Sequence, residues 1–176
     1  ERSGEVDLLA AAVRAMGERI SLAQTERRSA PPPTPEVLGA LARYARRAQS
    51  PVALAAVDSL GQALAFGAPA VYALASALQH PAASVARAAA FKLSESVVGQ
   101  EALIEALAHP TPAVRVLVAE MLLDTDLPDA RDRLVHRAAV EEDGAVREAI
   151  EQALGASSHS VDSGPRSRRG GSSTPP

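Results

Sequence analysis

Residues 80–126 read HPAASVARAAAFKLSESVVGQEALIEALAHPTPAVRVLVAEMLLDTD, and this stretch decides the fold. A His-Pro pair opens an alanine-rich apolar segment at His80, and a second His-Pro pair opens another at His109. The two histidines are 29 residues apart, as are Val85 and Val114. A fixed interval of this size is typical of proteins built from repeated helix-turn-helix units. The stretch therefore predicts an all-α protein made of stacked helical pairs.

The same interval recurs more loosely on both sides of this stretch. A third copy begins at Gly144, where Val146 lies 32 residues after Val114, and Val52 lies 33 residues before Val85. We interpret the four valines as equivalent positions near the start of alternate helices. Such a ladder buries a continuous core between stacked pairs, because a single pair cannot bury its own apolar face.

The amino-acid composition agrees with an all-helical core. Hydrophobic residues make up 47% of the 176 residues but aromatic residues only 2%, so alanine, leucine and valine must fill the core. Alanine and leucine favour helix because they lose little side-chain entropy there. The net charge of −3 argues against a dedicated nucleic-acid-binding protein, which usually has a basic excess. The absence of cysteine excludes disulfides, thiolate catalysis and cysteine-ligated zinc.

The sequence predicts neither a signal peptide nor a membrane span. Charged residues interrupt the first apolar stretch, residues 6–20. Between Arg47 and Arg87 the only formally charged residue is Asp58, but glycine, proline and glutamine break every apolar run before it reaches about 18 residues. Together with the missing cysteine, these features favour a cytoplasmic location.

Proline and glycine divide the chain into four expected parts. Residues 1–28 contain an amphipathic helix, expected over residues 5–28, that either docks on the repeats or serves as a partner-binding arm. Residues 29–33 read SAPPP and form a proline-rich linker, because consecutive prolines exclude helix. Residues 34–155 form the repeat domain. Residues 156–176 are expected to be a disordered tail, because serine, glycine, proline and arginine cannot bury enough apolar area to offset chain entropy.

Helix boundaries in the repeat domain follow from capping residues and helix breakers. Thr34 suits an N-cap and Pro35 the first helical position. Gly99 predicts a break after a long helix that runs from about Ala82 to Val98. The remaining helices are expected at about residues 50–65, 68–79, 100–108, 113–123, 128–140 and 144–154.

The segment at residues 110–122, PTPAVRVLVAEML, resembles the first helix of HEAT repeats, especially the short repeats of phycobilisome-lyase-like proteins. That helix commonly reads Pro-x-Val-Arg followed by small and apolar residues, as residues 112–115 do here. Residues 145–147 match without the proline, residues 85–87 match with a displaced arginine, and Val52 lacks the arginine. The resemblance implies a short right-handed α-solenoid whose second helices line a concave face, usually for binding another protein.

Three arginines follow the repeat valines and form a candidate ladder: Arg87, Arg115 and Arg147. We interpret each as pairing with an acidic group or a carbonyl of the neighbouring repeat, which orders the stack but contributes modestly where the pair is exposed. The alternative is an anion-binding stripe.

Two charged clusters are the candidate surfaces for a protein partner. The basic cluster, on one helix face, comprises Arg43, Arg46 and Arg47. The acidic cluster comprises Asp124, Asp126 and Asp129. The acidic cluster does not predict a calcium site, because it lacks the glycine and the distal glutamate of a calcium-binding loop. The basic cluster lacks the interleaved aromatic residues with which proteins stack single-stranded bases.

His80 and His109 occupy equivalent turns, and we interpret them as turn residues before proline rather than as ligands of a two-histidine metal site. Glu101, Glu105 and His109 are spaced for one helix face, which we interpret as solvated rather than as a cation site. The sequence contains no nucleophile with a base in a recognisable arrangement and no phosphate-binding glycine loop. It therefore predicts no catalytic residue, no metal and no cofactor.

The preferred hypothesis is a non-catalytic adaptor that binds another protein of unknown identity. One alternative is a lyase-like or chaperone-like accessory subunit that holds an apolar ligand in a groove lined by Tyr44, Tyr72 or Phe91. A second alternative is weak nucleic-acid binding through the basic cluster.

Overall fold

The computed structural model describes residues 2–25, 32–47, 49–122 and 128–157, and it confirms the prediction of an all-α protein. Within these ranges there are nine α-helices, one short 3₁₀ helix and no strand. The helices are α1 (Arg2–Thr25), α2 (Pro35–Ala45), α3 (Ser50–Gln62), α4 (Ala68–Ala77), α5 (Ala83–Ser94), α6 (Val97–Ala106), α7 (Pro112–Met121), α8 (Pro128–Val140) and α9 (Gly144–Ser157), with the 3₁₀ helix at Ala63–Phe66.

The predicted break at Gly99 is wrong, because the turn between α5 and α6 lies earlier and Gly99 is inside α6. Ser96 caps α6, and its hydroxyl accepts the Gly99 N–H at 3.1 Å. A Cβ atom on residue 99 would lie 2.1 Å from the Leu93 carbonyl oxygen. Glycine is therefore needed for the close approach of the end of α5, not for ending a helix.

The helices alternate between two layers. Each odd-numbered helix contacts the next odd-numbered helix, in the order α1, α3, α5, α7 and α9. In the second layer α2 contacts α4, and α4 contacts α6. Each layer buries its apolar side against the other, because most of these helices are amphipathic and too short to be stable alone.

Alanine and leucine fill the core between the layers, as the composition predicts. The largest side chains with no appreciable exposure include Leu41, Leu60, Leu74, Leu93 and Leu103. Alanines such as Ala56 and Ala89 are also fully buried, which lets neighbouring helices approach closely. The four valines of the repeat ladder are buried as well: Val52, Val85, Val114 and Val146.

Helix α1 packs along α3 at a contact that depends on two small residues. The Ser59 hydroxyl lies 3.0 Å from the carbonyl oxygen of Val13 and 2.8 Å from that of Ala55, so its single proton is shared between an acceptor on α1 and one on α3. A Cβ atom on Gly17 would lie 2.4 Å from the Ser59 Oγ atom. The helix expected at residues 5–28 is thus docked on α3 over its described residues.

Several other expectations fall outside the described residues. Residues 29–31 of the linker and residues 158–176 of the tail are not described, nor are residues 26–28 at the end of the expected N-terminal helix. Within the described ranges, no helix combines the length and the apolar character needed to cross a membrane.

Replacing Val114 with aspartate is expected to lower the free energy of unfolding by about 3 kcal/mol or more, because the carboxylate would be buried without a partner. Val114 is 4% exposed, whereas its neighbour Ala113 is exposed in the first turn of α7. Ala113→Asp is therefore the matched control and should change stability by less than about 0.5 kcal/mol. Urea denaturation of both variants measures the difference. Equal stability of Val114→Asp and the wild-type protein would contradict the placement of this valine in the core.

Candidate functional site

The best-defined polar cluster joins Arg115, in the first turns of α7, to Glu141, in the turn between α8 and α9. The pairing is bidentate: Arg115 Nε donates to Glu141 Oε2 at 2.9 Å, and Arg115 Nη2 donates to Oε1 at 2.7 Å. Arg115 is 7% exposed and Glu141 is 3% exposed. Two parallel charge-assisted bonds fix the planar guanidinium against the carboxylate, so the pair sets the position of one turn relative to the other.

Further donors surround the Glu141 carboxylate. Arg137 donates through Nε and Nη2 to Oε2 at 2.9 and 2.6 Å, and the Asp143 backbone N–H donates to Oε1 at 3.0 Å. These bonds, with that of Arg115 the strongest, lower the pKa of Glu141 from 4.5 to about 2. Hydrogen bonding to Glu141 also raises the pKa of Arg115. Glu141 is thus an ionised, saturated acceptor and not a general base at neutral pH.

The cluster also binds backbone groups of the turns around it. Arg115 Nη1 donates to the carbonyl oxygens of His109 and Pro110 at 2.8 and 3.2 Å. Arg147 Nη2 donates to the Glu141 carbonyl oxygen. Arg115 therefore connects the turn before α7 to the turn before α9, and Arg147 fixes the latter turn to α9. Within the part of the chain that the structure describes, no buried side-chain nitrogen or oxygen lacks a hydrogen bond.

The three arginines of the candidate ladder differ in their surroundings. Arg87 of α5 pairs with Glu120 of α7 at 3.3 Å in an exposed ion pair. Arg115 pairs with Glu141 in the buried cluster, so both arginines reach a group in the following helical pair. Arg147 instead binds a carbonyl in the turn just before its own helix.

Three turns contain the same type of hydrogen bond, from a backbone N–H to the side chain of the residue two positions earlier. The accepting residues are His80, His109 and Glu141, and each lies five residues before a repeat valine. His80 Nδ1 accepts the Ala82 N–H at 3.0 Å, and His109 Nδ1 accepts the Thr111 N–H at 3.1 Å. Glu141 Oε1 accepts the N–H of the residue two positions later in the same way. Sequence reasoning missed Glu141, and this five-residue offset is the signal that would have found it.

His80 has a second bond that ties the two layers together. Its ring is 8% exposed, and its Nε2 atom pairs with the Arg47 carbonyl oxygen at the end of α2. Because Nδ1 accepts a backbone N–H, the hydrogen-bonding pattern assigns the proton to Nε2. Both ring nitrogens are engaged with the backbone, which supports a structural role for this histidine.

The basic cluster lies on the outward side of α2. Its members Arg43, Arg46 and Arg47 are exposed, and none forms an ion pair with a carboxylate in the described ranges. The Arg47 guanidinium lies over the Tyr44 ring, 5.0 Å from its centre. The members of the acidic cluster cannot be placed in the same way. Asp124 and Asp126 lie outside the described residues, and for Asp129 only the backbone, in α8, is described.

The outward sides of α2, α4 and α6 form a surface with an ordered charge, which we call the α2–α4–α6 face. Each helix has one fully buried leucine, namely Leu41, Leu74 and Leu103. Two positions after a buried residue, a helix presents its outward side. The residues two positions after these leucines are Arg43, Ser76 and Glu105. Tyr72 on α4 is 73% exposed, and Glu101 on α6 is exposed. The face therefore changes from basic at the C-terminal end of α2, whose first turn also carries the exposed Glu36, through neutral and aromatic on α4 to acidic on α6.

Two concavities lie elsewhere on the surface. One of about 390 Å³ lies between α5 and α7, and its lining includes His80, Arg87, Thr111, Val116, Leu117 and Glu120. The other, of about 420 Å³, lies beside the buried cluster. Neither is lined by the aromatic residues expected of an apolar-ligand site, Tyr44, Tyr72 and Phe91. Among the described residues, no three His, Asp or Glu side chains are grouped so as to hold a metal ion.

Glu141→Gln is expected to destabilise the protein by about 3 kcal/mol, because it leaves two arginines at the buried cluster without their counter-charge. Glu142→Gln makes the same chemical change at the next residue, which is exposed, and should alter stability by less than about 0.5 kcal/mol. Chemical denaturation of the two variants side by side measures the effect. Similar stabilities would show that the cluster contributes nothing.

The same carboxylate predicts a pH dependence of stability. The unfolded chain protonates Glu141 near its ordinary pKa of 4.5, whereas the folded protein holds the pKa at about 2. The contribution of Glu141 is therefore complete above pH 4.5 and is lost as the pH falls towards 2. Denaturation curves between pH 7 and pH 2 should show a smaller decline for Glu141→Gln than for the wild-type protein. Parallel declines would contradict the lowered pKa.

A scan against protein-family models finds none that matches this chain, and a search of curated proteins finds no significant match. The function is therefore argued from the geometry of the described residues.

Proposed function

We propose that this protein is a non-catalytic adaptor, built as a short right-handed α-solenoid of HEAT-like repeats, that binds another protein through the α2–α4–α6 face. The observation that carries the proposal is the charge order of that face, from the arginines of α2 across Tyr72 to Glu101 and Glu105. An exposed tyrosine between two charged groups has the composition of a protein-binding surface, where aromatic and arginine side chains are enriched.

The repeat architecture is supported by contacts that recur along the chain. Alternate helices contact one another in sequence, which is how stacked helical pairs bury a common core. The same side-chain-to-backbone bond recurs in the turns before α5, α7 and α9. A stack of this kind keeps the second helix of each pair in one layer, so the outward residues of α2, α4 and α6 present one continuous surface.

The two alternatives have less support. A site for a bulky apolar ligand would require a groove lined by Tyr44, Tyr72 or Phe91, but Tyr72 is 73% and Phe91 is 53% exposed. Nucleic-acid binding requires a continuous basic surface. The basic residues of α2 are followed by α4, which carries no charged residue, and then by the glutamates of α6.

Charge reversal on this face is expected to abolish partner binding while leaving the fold intact. The variants are Arg43→Glu with Arg46→Glu, at the C-terminal end of α2 and its C-cap, and Glu101→Arg with Glu105→Arg on α6. All four side chains are exposed, so the double variants should unfold at the same denaturant concentration as the wild-type protein. Affinity purification followed by mass spectrometry should recover the partner with the wild-type protein and lose it with either double variant.

The matched control is Arg133→Glu, which reverses an exposed arginine on α8 with no hydrogen bond or ion pair among the described residues. This variant should retain the partner. Recovery of the same partner with all variants would place binding on another surface, and turnover of a substrate by the purified protein would contradict a non-catalytic role.

A further inference from the structure

Helix α1 carries apolar side chains both on the side that packs against α3 and on the opposite side. The side that faces α3 includes the buried residues Val13 and Ile20. On the opposite side, Leu8 is 73% exposed and Leu22 is 58% exposed. Three alanines between the two leucines are also exposed: Ala11, Ala12 and Ala15. A helix that is apolar on two sides is typically packed on both.

Among the described helices, contacts to α3 cover only one side of α1. It is the first member of the odd-numbered layer, and among the described helices it packs chiefly on α3. Its outward side, formed by Leu8, Ala11, Ala15 and Leu22, is exposed in the described structure, and we call it the α1 end face. An exposed, contiguous apolar helix face marks a candidate interaction surface.

We propose that a second copy of this chain packs on the α1 end face, with the two α1 helices antiparallel and a twofold axis at Ala15. Leu8 and Leu22 lie seven residues on either side of Ala15, about 10 Å along the helix. An antiparallel pair centred on Ala15 therefore brings Leu8 of each copy opposite Leu22 of the other. Alanine at the centre allows the helix axes to approach closely. The pattern is self-complementary, as a twofold interface requires.

The charged residues beside this face fit the same arrangement. Arg14 and Glu18 are exposed, lie on the same flank of the face, and form no ion pair within the described part of the chain. With the axis at Ala15, Arg14 of one copy is offset from Glu18 of the other by two residues, about 3 Å along the helix. The twofold symmetry creates this attraction twice, because an antiparallel pair brings the same flank of both helices together.

The expected dimer is weak and reversible, because the interface is one helix wide. Such a contact buries less than the roughly 1,200 Å² that separates weak, transient interfaces from stable ones. The wild-type protein should therefore show a mean mass that rises from monomer to dimer with concentration in sedimentation velocity experiments.

Ala15→Glu tests the position of the axis, because it places two carboxylates together at the centre of the interface. It is expected to raise the dissociation constant at least about tenfold. Ala139→Glu introduces the same residue at an exposed alanine of α8 and should leave the dissociation constant unchanged. Circular dichroism checks that both variants remain folded.

Reciprocal charge reversal tests the identity of the occupant. Arg14→Glu alone and Glu18→Arg alone should each weaken association, and the double variant should restore it. A different protein as the natural occupant would leave the purified chain monomeric at every concentration, which would overturn the proposal. A dimer that persists in Ala15→Glu would also overturn it, since association would then use another surface. Neither outcome depends on the proposed partner at the α2–α4–α6 face.

Discussion

The buried ion pair of Arg115 and Glu141 is the interaction on which the arrangement of the last three helices depends. Taking two charges out of water is costly, and the attraction between them compensates only when the geometry is good and the remaining hydrogen-bonding capacity is filled. Here the pairing is bidentate, and Arg137 and the Asp143 N–H satisfy the rest of the carboxylate. The pair therefore specifies how the turns meet more than it adds to net stability.

The core imposes a second constraint, because alanine supplies much of it. Small side chains contribute little buried area each, so stability must come from close approach of many helices rather than from a few large residues. Two positions show how close the backbones come. Gly17 faces Ser59 across the α1–α3 contact, and Gly99 faces the Leu93 carbonyl at the end of α5. In both places a side chain as small as a methyl group has no room.

The repeat interval predicted the helical class and the burial of the repeat valines, because 29-residue spacing and apolar periodicity are properties of the chain itself. The interpretation of Gly99 as a helix breaker was wrong, because a glycine can mark either a helix end or a close contact, and only the neighbouring carbonyl decides between them. Arg115 could be singled out from its position after Val114, whereas the five-residue offset before Val146 marks Glu141 as a turn residue but not as the partner of that arginine. Glu141 lies 26 residues away, and which acid reaches a given arginine is decided by the packing of α7 on α9.

The equivalence of His80, His109 and Glu141 in their turns has a consequence for moving one repeat unit to another place in a protein. A histidine closes its turn by accepting a backbone N–H from the residue two positions later, and it needs no charged partner to do so. A carboxylate at the same place requires cations from two other helices. The turn at Glu141 can therefore be transferred only together with Arg115 and Arg137, which ties the unit that begins at His109 to the unit that follows it.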